Sequence, residues 1–302
     1  MQLGIDLGGT KIEAAVLDAA GSFRFRERIA TPQGDYQATL QAIHALVVSA
    51  ESALHESVTA VGIGHPGSAN PLDGRIRNAN STCLNGQTLQ ADLQALLARP
   101  VKLANDADCL ALSEATDGIA KNGPTVFGVI LGTGVGGGWV INGRLLQGPN
   151  GLAGEWGHNP LPISFADELP GPACYCGKHG CIEAWLSGPA LVADYQKQTH
   201  DRTITDVPAL VNAAAHGNHN AQLALDRHTQ RLARALAVII NACDPTTIVL
   251  GGGVSQRPGL INDLSTALPA HVFLPAGTPL QTKILLPTFG DSSGVRGAAR
   301  LI

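Results

Sequence analysis

Three cysteines and a histidine lie within 24 residues of one another, in the order His158, Cys174, Cys176, Cys181. Three thiolates and one imidazole suffice to close a tetrahedral zinc site, and with no position left for water such a metal is structural. His179, inside the loop itself, competes with His158 for the fourth place, but the short span would strain its ring, and His158 is preferred. A second chemical signal is Asn105-Asp106. An aspartate at the end of an apolar strand is placed either to accept a proton or to cap the helix that follows. A third is glycine: Gly8-Gly9-Thr10-Lys11, Gly132-Thr133-Gly134-Val135-Gly136-Gly137 and Gly251-Gly252-Gly253 concentrate backbone N–H groups where no side chain blocks an anion. Asp6, in an apolar strand just before the first glycine turn, is costly to bury unless it meets a cation or caps the turn. A metal clip, anion-cradling turns and a candidate base together point to phosphoryl transfer to a small molecule.

The elements that must position these residues can be read from pattern. Gln2–Ile5 and Ile12–Leu17 read as a hairpin around the first glycine turn, followed by a strand over Phe23–Ile29. Asp35 caps a helix with Ile43, Leu46, Val47, Ala50 and Leu54 on one face. Strands over Val58–Ile63 and Val101–Ala104 flank a helix carrying Leu89, Leu93, Leu96 and Leu97, and a helix runs from about Ala107 to Thr116. The pattern then starts over, with Val126–Leu131, a glycine turn and Gly138–Ile141 echoing residues 2–21. A long helix over Gln222–Ala242 precedes a buried strand at Thr246–Leu250, and residues 291–299 read as a capped helix. The expectation is an α/β chain in two lobes, 1–117 and 118–302, with the last helix (about 291–302) returning to the first lobe.

The G-x-G-x-x-G at Gly132–Gly137 is not a dinucleotide fingerprint, because it runs into a strand rather than a helix and no acidic residue follows to hold a ribose. A net charge of −4 leaves no basic footprint for nucleic acid. No apolar run approaches the roughly 20 residues needed to cross a bilayer, and the N-terminus lacks the pattern of a secretory signal. Six cysteines in 302 residues are too few for a disulfide scaffold; Cys83, Cys109 and Cys243 read as core or near-core residues, and the chain as cytoplasmic.

Asp6-Leu7-Gly8-Gly9-Thr10-Lys11, Leu131 to Gly138 and Leu250 to Gly253 resemble the two phosphate motifs and the adenosine motif of the actin-like (ribonuclease H-like) sugar kinases. Gly154-Glu155-x-Gly157-His158 and the Cys174 to Glu183 loop narrow the resemblance to the ROK family of sugar kinases and sugar-responsive repressors. The resemblance runs from residue 2 to about 300. It implies a two-lobed fold closing over sugar and ATP-Mg²⁺, a structural Zn²⁺, and a homodimer. It implies Asp106 as catalytic base. Gly67, Asn80, Asn105, Asp106, Glu155, His158 and Glu183 match sugar-site positions. Nucleotide contacts fall to Asp6 (Mg²⁺), Gly8, Gly9, Thr10, Lys11, Gly132, Thr133, Gly134, Gly136, Gly251, Gly252 and Gly253. His65 stands where the family has a small apolar residue, and reads as a satisfied surface histidine. The loop Asn78 to Gly86 and the ending Gly290 to Gly294 resemble the fructokinase/mannokinase branch (EC 2.7.1.4), with N-acetylglucosamine kinase and glucokinase as alternatives. A sugar-responsive regulator is disfavoured, since Asp6 leaves no room ahead of it for a helix-turn-helix domain.

Overall fold

A computed structural model describes residues 1–163, 165–275 and 277–302. The chain divides into two compact units. The first contains Met1–Asn122, Gly138–Gly154 and Pro287–Ile302; the second contains Gly123–Gly137 and Glu155–Leu286. The first unit thus draws on two later segments, 138–154 and 287–302, besides the N-terminal stretch.

In the first unit, β1 (Gln2–Leu7), β2 (Lys11–Leu17) and β3 (Phe23–Ala30) form an antiparallel meander. Helix α1 (Tyr36–Leu54) starts at Asp35, whose carboxylate accepts the Ala38 N–H at 2.9 Å. It leads to β4 (Ala60–His65), then the short pair β5 (Ser68–Ala69) and β6 (Ile76–Arg77), α2 (Leu89–Leu97), β7 (Val101–Asn105) and α3 (Asp106–Thr116). The sheet order is β3-β2-β1-β4-β7, with β1, β4 and β7 parallel. Leu3, Ile5, Ile12, Ile43, Leu46, Ile63 and Leu93 are all but inaccessible on the face covered by α1 and α2. Parallel strands gather their carboxyl ends at one edge, the usual place for a ligand in such sheets. Here that edge holds Asp6, His65 and Asn105, with Asp6 opposite Gly64 and His65 opposite Asn105.

In the second part of the chain come β8 (Thr125–Leu131), β9 (Val135–Ile141) and β10 (Arg144–Leu145), then α4 (Ile182–Leu186), α5 (Gly188–Thr199), α6 (Val207–Ala215) and α7 (His219–Cys243). They are followed by β11 (Thr247–Gly251), α8 (Leu260–Ala267), β12 (Lys283–Leu285) and α9 (Ser293–Ala299). The sheet order β10-β9-β8-β11-β12 repeats that of the first sheet, an antiparallel meander extended by parallel strands, so the echo of residues 2–21 at 126–143 is a repeat of topology. Strand β9 passes from one unit to the other at Gly137/Gly138.

Helix α9 packs on β1, β4 and α3 within the first unit. Glycine makes that approach possible: a Cβ on Gly4 or Gly62 would overlap the backbone of α9, and one on Gly297 would overlap the Cys109 carbonyl of α3. Glu114 of α3, with no accessible surface, holds the segment leading into α9. It accepts the Thr288 N–H at 2.9 Å, the Phe289 N–H at 3.3 Å and the Ser293 hydroxyl at 2.9 Å.

Candidate functional site

Asn105 and Asp106 sit where β7 turns into α3. The cap role that the sequence left open for Asp106 belongs to Asn105, whose side-chain oxygen accepts the Asp108 N–H at 2.6 Å. The Asn105 amide nitrogen is thus the part of that side chain available to a ligand. Asp106 is the first helical residue; its Oδ1 accepts the Ala107 N–H at 2.8 Å, and the side chain is exposed. Gly138 lies directly beneath this corner, since a Cβ there would come within 2.6 Å of the Ala107 carbonyl.

Asp6 is enclosed between β4 and the start of α9: a Cβ on Gly294 would come within 2.7 Å of its Oδ2, and Gly64 lies on the other side. Burial, then repulsion from Asp106 and Glu13, pushes the Asp6 carboxyl up to about 7, against the pull of Lys11 and Arg28. A buried carboxyl whose proton affinity a neighbouring carboxylate raises suits a hard divalent cation. The Gly8–Thr10 turn beside them is pinned from behind, with Gly8 N–H on the Lys11 carbonyl at 3.0 Å and the Thr31 hydroxyl on the Gly8 carbonyl at 2.7 Å. Gly9 and Thr10 stay exposed.

Gly67 has φ +76°, and a Cβ there would overlap the Arg77 carbonyl and meet Ala79 N at 2.7 Å. It therefore seats the Asn80 loop rather than touching a ligand through a side chain. Asn85 shapes the same loop by pairing with both the N–H and the carbonyl of Ala79 at 2.9 Å. Asn80 itself is exposed. His65 is not the surface residue expected from sequence: it is 2% exposed at the end of β4. Its Nδ1 lies 2.9 Å from the Pro66 carbonyl, which requires the proton on that nitrogen. Burial lowers its pKa, so it is neutral.

In the second unit, a single turn of 3₁₀ helix over Trp156–His158 follows Glu155, and Cys181 starts α4. The ligand atoms of His158, Cys174, Cys176 and Cys181 all lie within 4.8 Å of one another. Cys174 Sγ is 3.6 Å from His158 Nδ1, and Cys176 Sγ is 3.6 Å from Cys181 Sγ. A tetrahedron of zinc–sulfur bonds of about 2.3 Å has edges of about 3.8 Å, so the four residues fit that metal. Burial and the neighbouring thiols push Cys181 up to about 12, and burial raises Cys174, whereas the Lys178 N–H lowers Cys176. A dication removes the crowding that keeps such thiols protonated. His158 turns its other nitrogen to the Tyr175 hydroxyl at 3.0 Å. His179 is not in the cluster.

Glu183, two residues beyond Cys181, places Oε2 2.9 Å from the Val135 N–H, closing the Gly132–Gly134 turn. That turn is shorter than the sequence suggested, because β9 begins at Val135 and takes in Gly136 and Gly137. Gly252, at φ +86°, lies so close to the Leu131 backbone that no Cβ fits. Asn85, Trp156 and Glu114 were missed by sequence reasoning. Trp156 stood in view inside the Gly154–His158 motif, and the signal for Glu114 was a lone carboxylate inside an apolar helical stretch.

The ROK family model matches residues 2–302. The chain belongs to the ROK family. N-acetyl-D-glucosamine kinase of Shigella flexneri serotype 5b is 39% identical over 305 residues, covering 100% of this chain and 99% of the relative. Among solved structures, the ROK hexokinase from Thermus thermophilus matches with a TM-score of 0.86 and 31% identity, over 98% of this chain and 96% of that one. A ROK family glucokinase from Streptomyces griseus, in complex with glucose and AMPPNP, matches with a TM-score of 0.81 and 28% identity, over 99% and 98% of the two chains. The fold is thus the α/β fold of ROK sugar kinases in the actin-like superfamily, as the motifs implied. The fructokinase branch that the Asn78–Gly86 loop suggested is not supported, since the curated relatives at 39% identity are N-acetyl-D-glucosamine kinases. Among the described residues no helix is long and apolar enough to cross a membrane.

Proposed function

We propose that this ROK protein is an ATP-dependent kinase that phosphorylates the 6-hydroxyl of N-acetyl-D-glucosamine. The observation that carries the reading is the full-length 39% identity to kinases of that name. Asp106 fits the chemistry as the base. As the sugar oxygen bonds to the γ-phosphorus and the bond to the β–γ bridging oxygen breaks, the hydroxyl proton passes to the Asp106 carboxylate and ADP leaves. Asn80, the Asn105 amide, Glu155, His158 and Glu Oε1 of residue 183 supply hydrogen-bonding groups for the sugar, and Gly67 shapes the loop that carries Asn80. The Gly8–Lys11 and Gly132–Gly136 segments receive phosphate oxygens, and Gly251–Gly253 receives the adenosine. Asp6, beside Asp106, would hold the magnesium. Magnesium bound with ATP neutralises charge on the β- and γ-phosphates. His158, Cys174, Cys176 and Cys181 would hold a structural zinc, which fixes the loop between them.

A coupled ADP-release assay across N-acetylglucosamine, glucose, mannose and fructose tests the reading. The largest kcat/KM is expected for N-acetylglucosamine; a larger value for fructose would return the protein to the branch its sequence loop resembles. A homodimer, cytoplasmic and using neither nucleic acid nor membrane, is the assembly that accompanies this proposal.

A further inference from the structure

The Cys/His cluster has two ends, and both reach the Gly132–Gly136 segment. At the histidine end, Trp156 is 3% exposed and its Nε1 donates to the Gly136 carbonyl at 2.9 Å. Its ring meets Phe127 of β8 edge-on at 5.6 Å, and Gly157 lies against the Val135 carbonyl with no room for a Cβ. At the cysteine end, Glu183 accepts the Val135 N–H at 2.9 Å, and Gly188, where α4 gives way to α5, donates its N–H to the Gly132 carbonyl at 2.7 Å. The two ends are tied by Ile182 N–H to the Asn159 carbonyl at 2.9 Å and Leu161 N–H to the Gly180 carbonyl at 2.8 Å. Of three backbone groups in the turn and the strand after it, two are therefore held by residues within two positions of a metal ligand, and the third by Gly188, the first residue of α5, which follows directly on the helix that Cys181 caps.

We propose that the segments flanking the metal cluster clamp the phosphate turn, with Trp156 and Glu183 as positioning residues, so that an ordered cluster tightens nucleotide binding. The inference rests on the kinase reading and extends it: the metal acts on the nucleotide side as well as near the sugar. A glycine turn is flexible when free, and an anion gains most from N–H groups already aimed. With the Gly132 carbonyl, Val135 N–H and Gly136 carbonyl committed, the Thr133 and Gly134 N–H groups are left directed by the clamp. Glu183 then has two duties, Oε2 on the turn and Oε1 for a sugar hydroxyl, in a side chain whose helix starts at a metal ligand.

The test is calorimetric binding of a non-hydrolysable ATP analogue without sugar, on zinc-loaded protein, chelator-stripped protein, Trp156→Phe, Glu183→Ala and Glu183→Gln, with zinc content and melting followed for each. Stripping is expected to weaken analogue binding tenfold or more. Trp156→Phe, which keeps the ring and loses the N–H, should weaken it severalfold with zinc retained. Glu183→Ala should weaken it too, and Glu183→Gln, still an acceptor for Val135 N–H, should recover most of the loss. Equal analogue affinity in stripped and loaded protein would overturn the clamp, even should Trp156→Phe fail to fold. Failure of Glu183→Gln to recover what Glu183→Ala loses would also overturn it. Loaded wild-type protein that binds no analogue would instead remove the kinase reading, and the clamp with it.

Discussion

Replacing Asp106 with asparagine keeps an oxygen for the Ala107 N–H and leaves the Asn105 cap untouched, so the start of α3 should hold its shape. What it removes is the basic site. Turnover is expected to fall by a factor of 10² or more, the scale of a general base, while sugar binding by calorimetry stays within about tenfold. Retained turnover would take Asp106 out of the mechanism. Asp6 makes a prediction of opposite sense. Its carboxyl is raised from 3.8 to about 7 in the fold, so the folded state resists ionisation more than the unfolded chain does. Its contribution to stability is full below about pH 4 and is lost as the pH climbs through 7. In magnesium-free buffer Asp6→Asn should therefore raise the melting temperature at pH 8 and change it little at pH 4. The gain is bounded at a few kcal/mol, taking roughly 1.4 kcal/mol for each pKa unit. Equal shifts at both pH values would contradict the burial of that carboxyl.

At the scale of elements, α7 is held by charge as well as by its apolar stripe. Glu168 meets Arg234 at 2.6 Å and Arg231 at 3.2 Å; Arg231 also reaches Asp194 at 2.9 Å and lies 4.3 Å from the Trp185 ring. Glu168, Arg231 and Arg234 are all under 9% exposed. Truncating one member of a buried pair leaves charge uncompensated, so Glu168→Ala should destabilise the protein by about 3–5 kcal/mol in urea titration. A loss below about 1 kcal/mol would mean that water or Asp194 takes over. Helix periodicity displayed the stripe through Leu225, Leu232 and Leu236, yet it could not show that Arg231 and Arg234 point inward, because their partners come from more than thirty residues away. The same holds for Glu114, which reads as an ordinary helical glutamate until α9 folds against α3.

For the whole molecule, the duplicated sheet order and the Cys/His cluster were both legible, the first as a repeated strand, glycine turn and strand, the second as ligand spacing. Cys176→Ser should lower zinc content and melting temperature together; unchanged metal stoichiometry would remove Cys176 from the ligand set. The sequence alone determined the family, the motifs and their order, because glycine turns, metal spacing and hydrophobic period are local properties of the chain. The sugar loop misled, since Asn78–Gly86 chemistry carries no rule for a particular hexose. Tertiary structure decided that Asn105 rather than Asp106 caps α3, that His65 is buried, and that Glu183 closes the phosphate turn. Each depends on which backbone N–H or carbonyl a side chain meets once distant strands and helices are packed, and spacing along the chain does not contain that distance.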